Sequence, residues 1–343
     1  MNFSKILTTW YLENKRDLPW RKTANPYPIW LSEIMLQQTR VAQGLPYYLA
    51  FTEAFPTVFD LAHASEEQVL KLWQGLGYYS RARNLHATAK HIAGNLNGIF
   101  PPDYKSLLQL KGVGEYTAAA IASFSYNEAV PVVDGNVYRV LSRYFNVSTD
   151  IASPKAKKEF TLLAQEVLDT ENPALFNQAI MEFGALQCVP KNPDCSLCPL
   201  NESCQALSLK KVAELPVKIK KMKIKDRFFH YLFILDNENK TTVNQRTSKG
   251  IWHNLYEFPV IETETPVSGE KVLESIEKKI SGASHITLLE SETVTHKLSH
   301  QHLHITFWRM QQDTVFEGGL DYEELNKLPF PIVLHNFIAN NKF

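Results

Sequence analysis

Residues 107–118, Leu107-Leu108-Gln109-Leu110-Lys111-Gly112-Val113-Gly114-Glu115-Tyr116-Thr117-Ala118, run a helical pattern into Gly-Val-Gly and out into a small-residue helix. Glycine permits the tight turn without steric cost. It also bares backbone N–H groups at the second helix's N-terminus, where the positive end of the dipole favours a phosphate. Gly112 and Gly114 are therefore the candidate phosphate contacts of a helix–hairpin–helix element. A bare G-x-G is also the signature of a plain inter-helix turn, so the weight of the pattern depends on its surroundings.

Downstream, Val132-Val133-Asp134-Gly135-Asn136-Val137 places an aspartate at the start of the next helical pattern. Asp134 is a good N-cap, and equally a carboxylate that could stand beside a positive reaction centre. Upstream, Glu33 sits among Trp30, Leu31, Ile34, Met35 and Leu36. An unpaired carboxylate in so apolar a segment is costly unless it holds its proton. Helical spacing also marks residues 65–73, 116–123 and 155–168, with Pro, Gly and Asn turns between them.

All four cysteines of the chain fall in residues 188–204, spaced Cys188-x6-Cys195-x2-Cys198-x5-Cys204. Four clustered thiols in a reducing compartment point to metal rather than disulfides. The spacing alone leaves Zn²⁺ and a [4Fe–4S] cluster both open.

With 343 residues, 44% of them hydrophobic, the chain can build two cores. No apolar run reaches the roughly 20 residues of a membrane span, and charges from Lys5 onward interrupt any secretory signal. The expected location is the cytoplasm, at the nucleoid in a bacterium. Residues 1–226 hold 25 Lys/Arg against 21 Asp/Glu, and the remainder reverses the sign within a net charge of zero. Residues 210–225 contain seven lysines and read as an exposed linker. Beyond it, 228–235 and 302–310 are aromatic and β-branched, as strands are, while 271–280 carries a helical pattern. The expected architecture is multidomain. An all-α helix–hairpin–helix domain over 1–208 contains the cysteine loop, a basic linker spans 209–226, and a smaller α+β domain covers 227–343.

The order of hairpin, aspartate and cysteine loop resembles the endonuclease III superfamily of DNA glycosylases. Within it the chain is similar to the adenine DNA glycosylases, the MutY family. The resemblance is carried by Leu18-Pro19-Trp20-Arg21, residues 30–39, Gly75-Leu76-Gly77-Tyr78-Tyr79, residues 134–137 and the cysteine loop. The second domain matches more loosely a Nudix-like lesion-recognition domain, through Gly250-Ile251-Trp252, Tyr256-Glu257-Phe258-Pro259 and Leu298-Ser299-His300.

The resemblance implies base excision repair of duplex DNA carrying adenine opposite 8-oxoguanine or guanine, with a [4Fe–4S] cluster on Cys188, Cys195, Cys198 and Cys204. It implies Glu33 as the acid that protonates the leaving adenine, Asp134 as the carboxylate beside the cationic sugar, and Asn136 as its orienting neighbour. Trp20, Arg21 and Gln178 match positions around the flipped base, Gln38 and Tyr78, near Leu76, match the residues that fill the gap it leaves, and Ser299 and His300 match the sensor of 8-oxoguanine. Leu298 stands where the family usually has Phe. Tyr116 occupies the place where strand-nicking relatives carry a Schiff-base lysine, so hydrolysis alone is expected. The Nudix glutamate pattern is missing from 271–280, so no pyrophosphatase activity is expected. The alternating His296, His300, His302 and His304 are read as solvated or locally satisfied. The protein is expected to act as a monomer, without a membrane.

Overall fold

The computed structural model describes residues 3–219, 224–267, 271–272, 274 and 286–343. The described α-helices before residue 220 are Phe3–Asn14 (α1), Pro26–Met35 (α2), Val41–Ala54 (α3), Val58–His63 (α4), Glu66–Leu72 (α5), Ser80–Asn95 (α6), Tyr104–Leu107 (α7), Glu115–Tyr126 (α8), Gly135–Tyr144 (α9), Pro154–Val167 (α10), Pro173–Leu186 (α11) and Gln205–Ser208 (α12). The strands are Lys225–Leu235 (β1), Asn244–Gln245 (β2), Tyr256–Glu257 (β3), Val260–Thr263 (β4), Ile286–Lys297 (β5) and Gln301–Gln312 (β6). The chain separates into two compact units, 1–63 with 84–220, and 64–83 with 221–343.

In the helical unit, Phe3, Leu7 and Tyr11 of α1 close a core with Val137 and Leu141 of α9, Phe160 of α10, and Phe176 and Phe183 of α11. The glycine hairpin is as its sequence demands. Gly112 has φ +76°, and a Cβ there would lie 2.6 Å from Asn84 Cβ, so both conformation and space require glycine. Gly114 is the N-cap of α8.

The second unit is built on a four-stranded sheet in the order β4-β1-β6-β5. β1 pairs parallel with β6 and antiparallel with β4. This central position explains its run of buried residues from Phe229 to Leu235, since a strand flanked and covered on both faces has no polar side. Residues 298–300 turn β5 into β6. The helix Ile332–Asn340 covers the sheet, with Phe337 stacked 4.0 Å from Phe307.

Two boundaries differ from the sequence reading. Residues 64–83 group with the sheet: Asn254 donates to Glu66 at 2.5 Å, Tyr256 to Glu67 at 3.0 Å, Lys71 to the Leu328 carbonyl at 3.1 Å and Arg83 to the His253 carbonyl at 2.7 Å. Residues 210–219 are not a free tether. Leu215 is buried, its carbonyl accepts from Arg143 Nε at 3.0 Å, and Val217 accepts from the Ile151 N–H. The apolar Leu-Pro-Val within the lysine run supplies this anchor. The helix expected over 271–280 lies mostly outside the described residues, as do 220–223 of the expected linker.

Candidate active site

α2 is apolar nearly all round, and eight of its residues are buried, Glu33 among them. A helix with no polar face belongs inside the protein. Asn25 caps it through Tyr27 N–H, with Pro26 in the first turn. This places Glu33, 7% exposed, in a cavity of about 170 Å³ lined by Trp20, Arg21, Tyr116, Asp134, Asn136 and Gln178 among others. Six positions read from sequence, scattered from residue 20 to 178, thus meet Glu33 at one site.

Tyr116 Oη donates to Glu33 Oε2 at 2.5 Å. Burial pushes the Glu33 carboxyl up to about 7, with the Asp134 charge adding to the rise, while the Tyr116 hydrogen bond and the Arg21 charge oppose it. Glu33 can hold a proton near neutral pH and release it there, which is what a general acid requires. Burial likewise drives the Tyr116 hydroxyl well above its usual range, so it remains a donor.

Asp134 caps α9. Its Oδ1 accepts from the N–H groups of Asn136 and Val137, both at 2.8 Å, and Oδ2 accepts from Asn136 Nδ2 at 2.7 Å. Burial raises its carboxyl above the ordinary value, and these bonds offset only part of the rise. The cap and the site carboxylate are therefore the same group. Close packing of α11 fixes Asn136, since a Cβ on Gly184 would lie 2.6 Å from Asn136 Cβ.

Several neighbours were not singled out from sequence. Glu182, one turn beyond Gln178 on α11, is buried and takes paired bonds from Arg21 (2.9 and 2.7 Å) and from Arg16 (2.8 and 2.5 Å). Burial alone would raise its carboxyl, but the bonds from Arg16 and Arg21 outweigh that and take it to about 2. Tyr11 donates to Gln178 Oε1 at 2.6 Å, so the Gln178 NH₂ is the edge left for the cavity. Only Glu182 carried a usable signal, a lone charge in an otherwise apolar helix.

Arg139 connects this site to the cysteine loop. Its Nη2 donates to Asn136 Oδ1 at 2.8 Å and its Nε to the Cys188 carbonyl at 2.7 Å. One turn on, Arg143 Nη1 reaches Cys188 Sγ at 3.4 Å. The four thiols lie close enough that Cys198 feels the charge of each of the other three, and burial pushes it up to about 11. Among the described residues no group of three or more His, Cys, Asp or Glu is arranged around a single metal ion.

A second cleft, of about 840 Å³, shares Leu36, Tyr116 and Asp134 with the first and is lined by Gln38, Gly114 and Lys157. In the sheet unit, a pocket of about 610 Å³ brings Tyr78 together with Ser299 and His300. Tyr78 has φ +49° and is 44% exposed, whereas the Leu76 side chain is buried. His304 pairs with Asp226 at 2.8 Å.

The fold and the paired buried carboxylates define a base-excision DNA glycosylase, a hydrolase of N-glycosyl bonds. Residues 31–166 match the model of HhH-GPD superfamily base excision DNA repair proteins, and 230–340 match the NUDIX domain. The chain is 36% identical to the adenine DNA glycosylase of Buchnera aphidicola subsp. Schizaphis graminum, over 88% of this chain and 86% of that one. It therefore belongs to the adenine DNA glycosylase family. The human adenine DNA glycosylase is 46% identical over 60% of this chain and 39% of its own length. Among solved structures, a thermostable thymine-DNA glycosylase superposes with a TM-score of 0.56 at 28% identity, over 60% of this chain and 95% of that one. Endonuclease III, solved in a non-covalent DNA complex, shares the fold with a TM-score of 0.52 at 21% identity, over 60% of this chain and 94% of that one. No described helix is long and apolar enough to cross a membrane.

Proposed function

We propose that the protein excises adenine opposite 8-oxoguanine or guanine in duplex DNA by hydrolysis, leaving an abasic site and an intact strand. The observation that carries this reading is the single cavity holding Glu33, raised to about 7, beside Asp134. Adenine leaves poorly as an anion. Glu33 gives its proton to a ring nitrogen of the flipped base, so that the base departs neutral. Asp134, fixed by Asn136 and the start of α9, offers negative charge to the oxocarbenium-like sugar. Tyr116 holds the Glu33 carboxyl in place and cannot form a Schiff base; among the described residues no lysine lines this cavity, and Lys157 lines the adjoining cleft. Trp20, Arg21 and Gln178 surround the base, and Gln38 and Tyr78 fill the space it vacates. Gly112 and Gly114 grip a phosphate.

Cys188, Cys195, Cys198 and Cys204 would hold a [4Fe–4S] cluster. What supports this reading is that all four thiols fall in one loop, near enough for Cys198 to feel the charge of each of the other three. The bound cluster supplies a cross-link for residues 188–204, and Arg139 ties that loop to Asn136. Iron-free, colourless protein with one zinc per chain would overturn the assignment.

The decisive test is incubation with duplexes carrying A opposite 8-oxoguanine, A opposite guanine and T opposite guanine, followed by alkali. Cleavage at A in the first two, none in the third and none without alkali is the expected result. Efficient borohydride trapping of the wild type would overturn hydrolysis as the only chemistry. For lesion discrimination, Ser299→Ala with His300→Ala should narrow the rate ratio between the first two duplexes. Truncation at residue 225 is a poorer test, because it strips residues 64–83 of their packing.

A further inference from the structure

The Ser299–His300 turn is supported by side chains whose donor and acceptor roles are fixed by chemistry. Arg227 Nη1 lies 3.2 Å from Gln301 Oε1. A guanidinium only donates, so the carbonyl end of the Gln301 amide must face Arg227 and its NH₂ must face away. That NH₂ lies 2.7 Å from His300 Nε2. An amide nitrogen only donates, so His300 Nε2 must accept, and in the neutral ring the proton then sits on Nδ1. Nδ1 is 3.3 Å from Ser299 Oγ and donates to it. The serine hydroxyl proton is left to point elsewhere.

The relay is anchored. Gln301 is 9% exposed. Arg227 also donates to Glu262 Oε2 at 2.5 Å, while the other oxygen of Glu262 takes Arg246 at 2.7 Å. Arg227, Ser299, His300 and Gln301 all line the pocket that contains Tyr78.

We infer that Gln301, held by Arg227 and Glu262, is a positioning residue that locks His300 in the Nδ1–H tautomer and so makes Ser299 a hydrogen-bond donor toward the base opposite the target. Oxidation of guanine at C8 replaces a C–H by a carbonyl acceptor and turns N7 from acceptor into N–H donor. A serine that receives from His300 keeps both its proton, for the carbonyl, and a lone pair, for N7–H. In the opposite tautomer, which a free imidazole favours, Ser299 would spend its proton on Nδ1 and could only accept. The inference rests on the reading that this turn meets the opposite base.

The test uses full-length protein with ¹⁵N-histidine, the His300 signals being assigned by their loss in His300→Asn. Wild-type protein should show a protonated Nδ1 and a bare Nε2. Gln301→Glu keeps a partner for Arg227 but can only accept from His300, so it should invert the pattern. Gln301→Leu should give a mixture. A protonated Nε2 in the wild type, or an unchanged pattern in Gln301→Glu, overturns the relay. Binding is then measured in a Glu33→Gln background, in which the base stays attached. Gln301→Glu should weaken affinity for the duplex with A opposite 8-oxoguanine by about threefold to tenfold, the worth of one neutral hydrogen bond. If the tautomer is as stated but neither Gln301→Glu nor Ser299→Ala changes that affinity, the relay stands and the turn's role in recognition falls.

Discussion

Tyr116 donates to Glu33 at 2.5 Å in the helical unit, and Tyr231 donates to Glu257 at 3.1 Å in the sheet unit. Both glutamates are 7% exposed. They differ in what else reaches them. Arg246 bonds both oxygens of Glu257, at 3.0 and 2.8 Å. Among the described residues no arginine bond reaches Glu33. The arginine near it, Arg21, has both terminal nitrogens engaged with Glu182 and acts on Glu33 only through space. The glutamate in the cavity therefore stands at about 7, and the one that holds Arg21 stands at about 2. Burial holds the Glu33 carboxyl up because the nearby cation is committed elsewhere.

The sharpest way to break the comparison is Glu33→Gln, which keeps size and packing but cannot give a proton. Single-turnover adenine release should fall by about 10³-fold, within the range of general acid catalysis, with duplex binding retained. A wild-type rate would mean that the acid is another group. Asp134→Asn should cost on the order of 10²-fold to 10³-fold, the worth of a preorganised electrostatic partner.

Removing a cation from each pair should have different readouts. Arg246→Met leaves Glu257 buried without its partner and should cost about 3–5 kcal/mol, read as lost stability by denaturant titration. The pH dependence of adenine release in the surviving folded protein should not move. Glu182→Gln should also destabilise, and by freeing Arg21 toward Glu33 it should move the alkaline limb of the rate profile to lower pH. An unmoved limb in a folded variant would show that Arg21 does not exchange partners.

The wild-type rate should fall about tenfold per pH unit above about 7, as Glu33 loses its proton. Stability carries the same signature. The folded-state value of Glu33 lies above its ordinary 4.5, so the folded protein binds more protons than the unfolded chain between 4.5 and 7. Its contribution is fully present below 4.5 and is lost as pH rises through about 7, on the order of 3 kcal/mol. Glu182 is opposite in sign. Its contribution is present above 4.5 and is lost as pH falls toward 2. Glu33→Gln should flatten the first slope and leave the second. The smallest expected effect is that of Tyr116→Phe. The hydroxyl lowers the Glu33 value, so its removal should move the alkaline limb upward; a downward move would contradict the stated cause.

Much of this site was legible because its constraints are local. Gly112 and Gly114 mark a hairpin, Asp134 precedes its helix as caps do, and Glu33 is conspicuous in an apolar run. The parallel pairing of β1 with β6 was not legible, since Arg227 and Leu303 are joined by no short-range pattern. The same holds for residues 64–83, whose helical periodicity predicts α5 but says nothing about Asn254 and Tyr256 as its partners.

By itself the sequence determined the element types, the hairpin, the clustering of the four thiols and the two carboxylates available for acid and electrostatic work. These follow from backbone freedom, periodicity and residue chemistry within a few turns of chain. Only the tertiary structure decided which carboxylate keeps its proton. That depends on exclusion of water from Glu33 and on the pairing of Arg21 with Glu182, 161 residues away. A pKa is set by the solvent and charges around a group, and these come from parts of the chain that no local pattern connects.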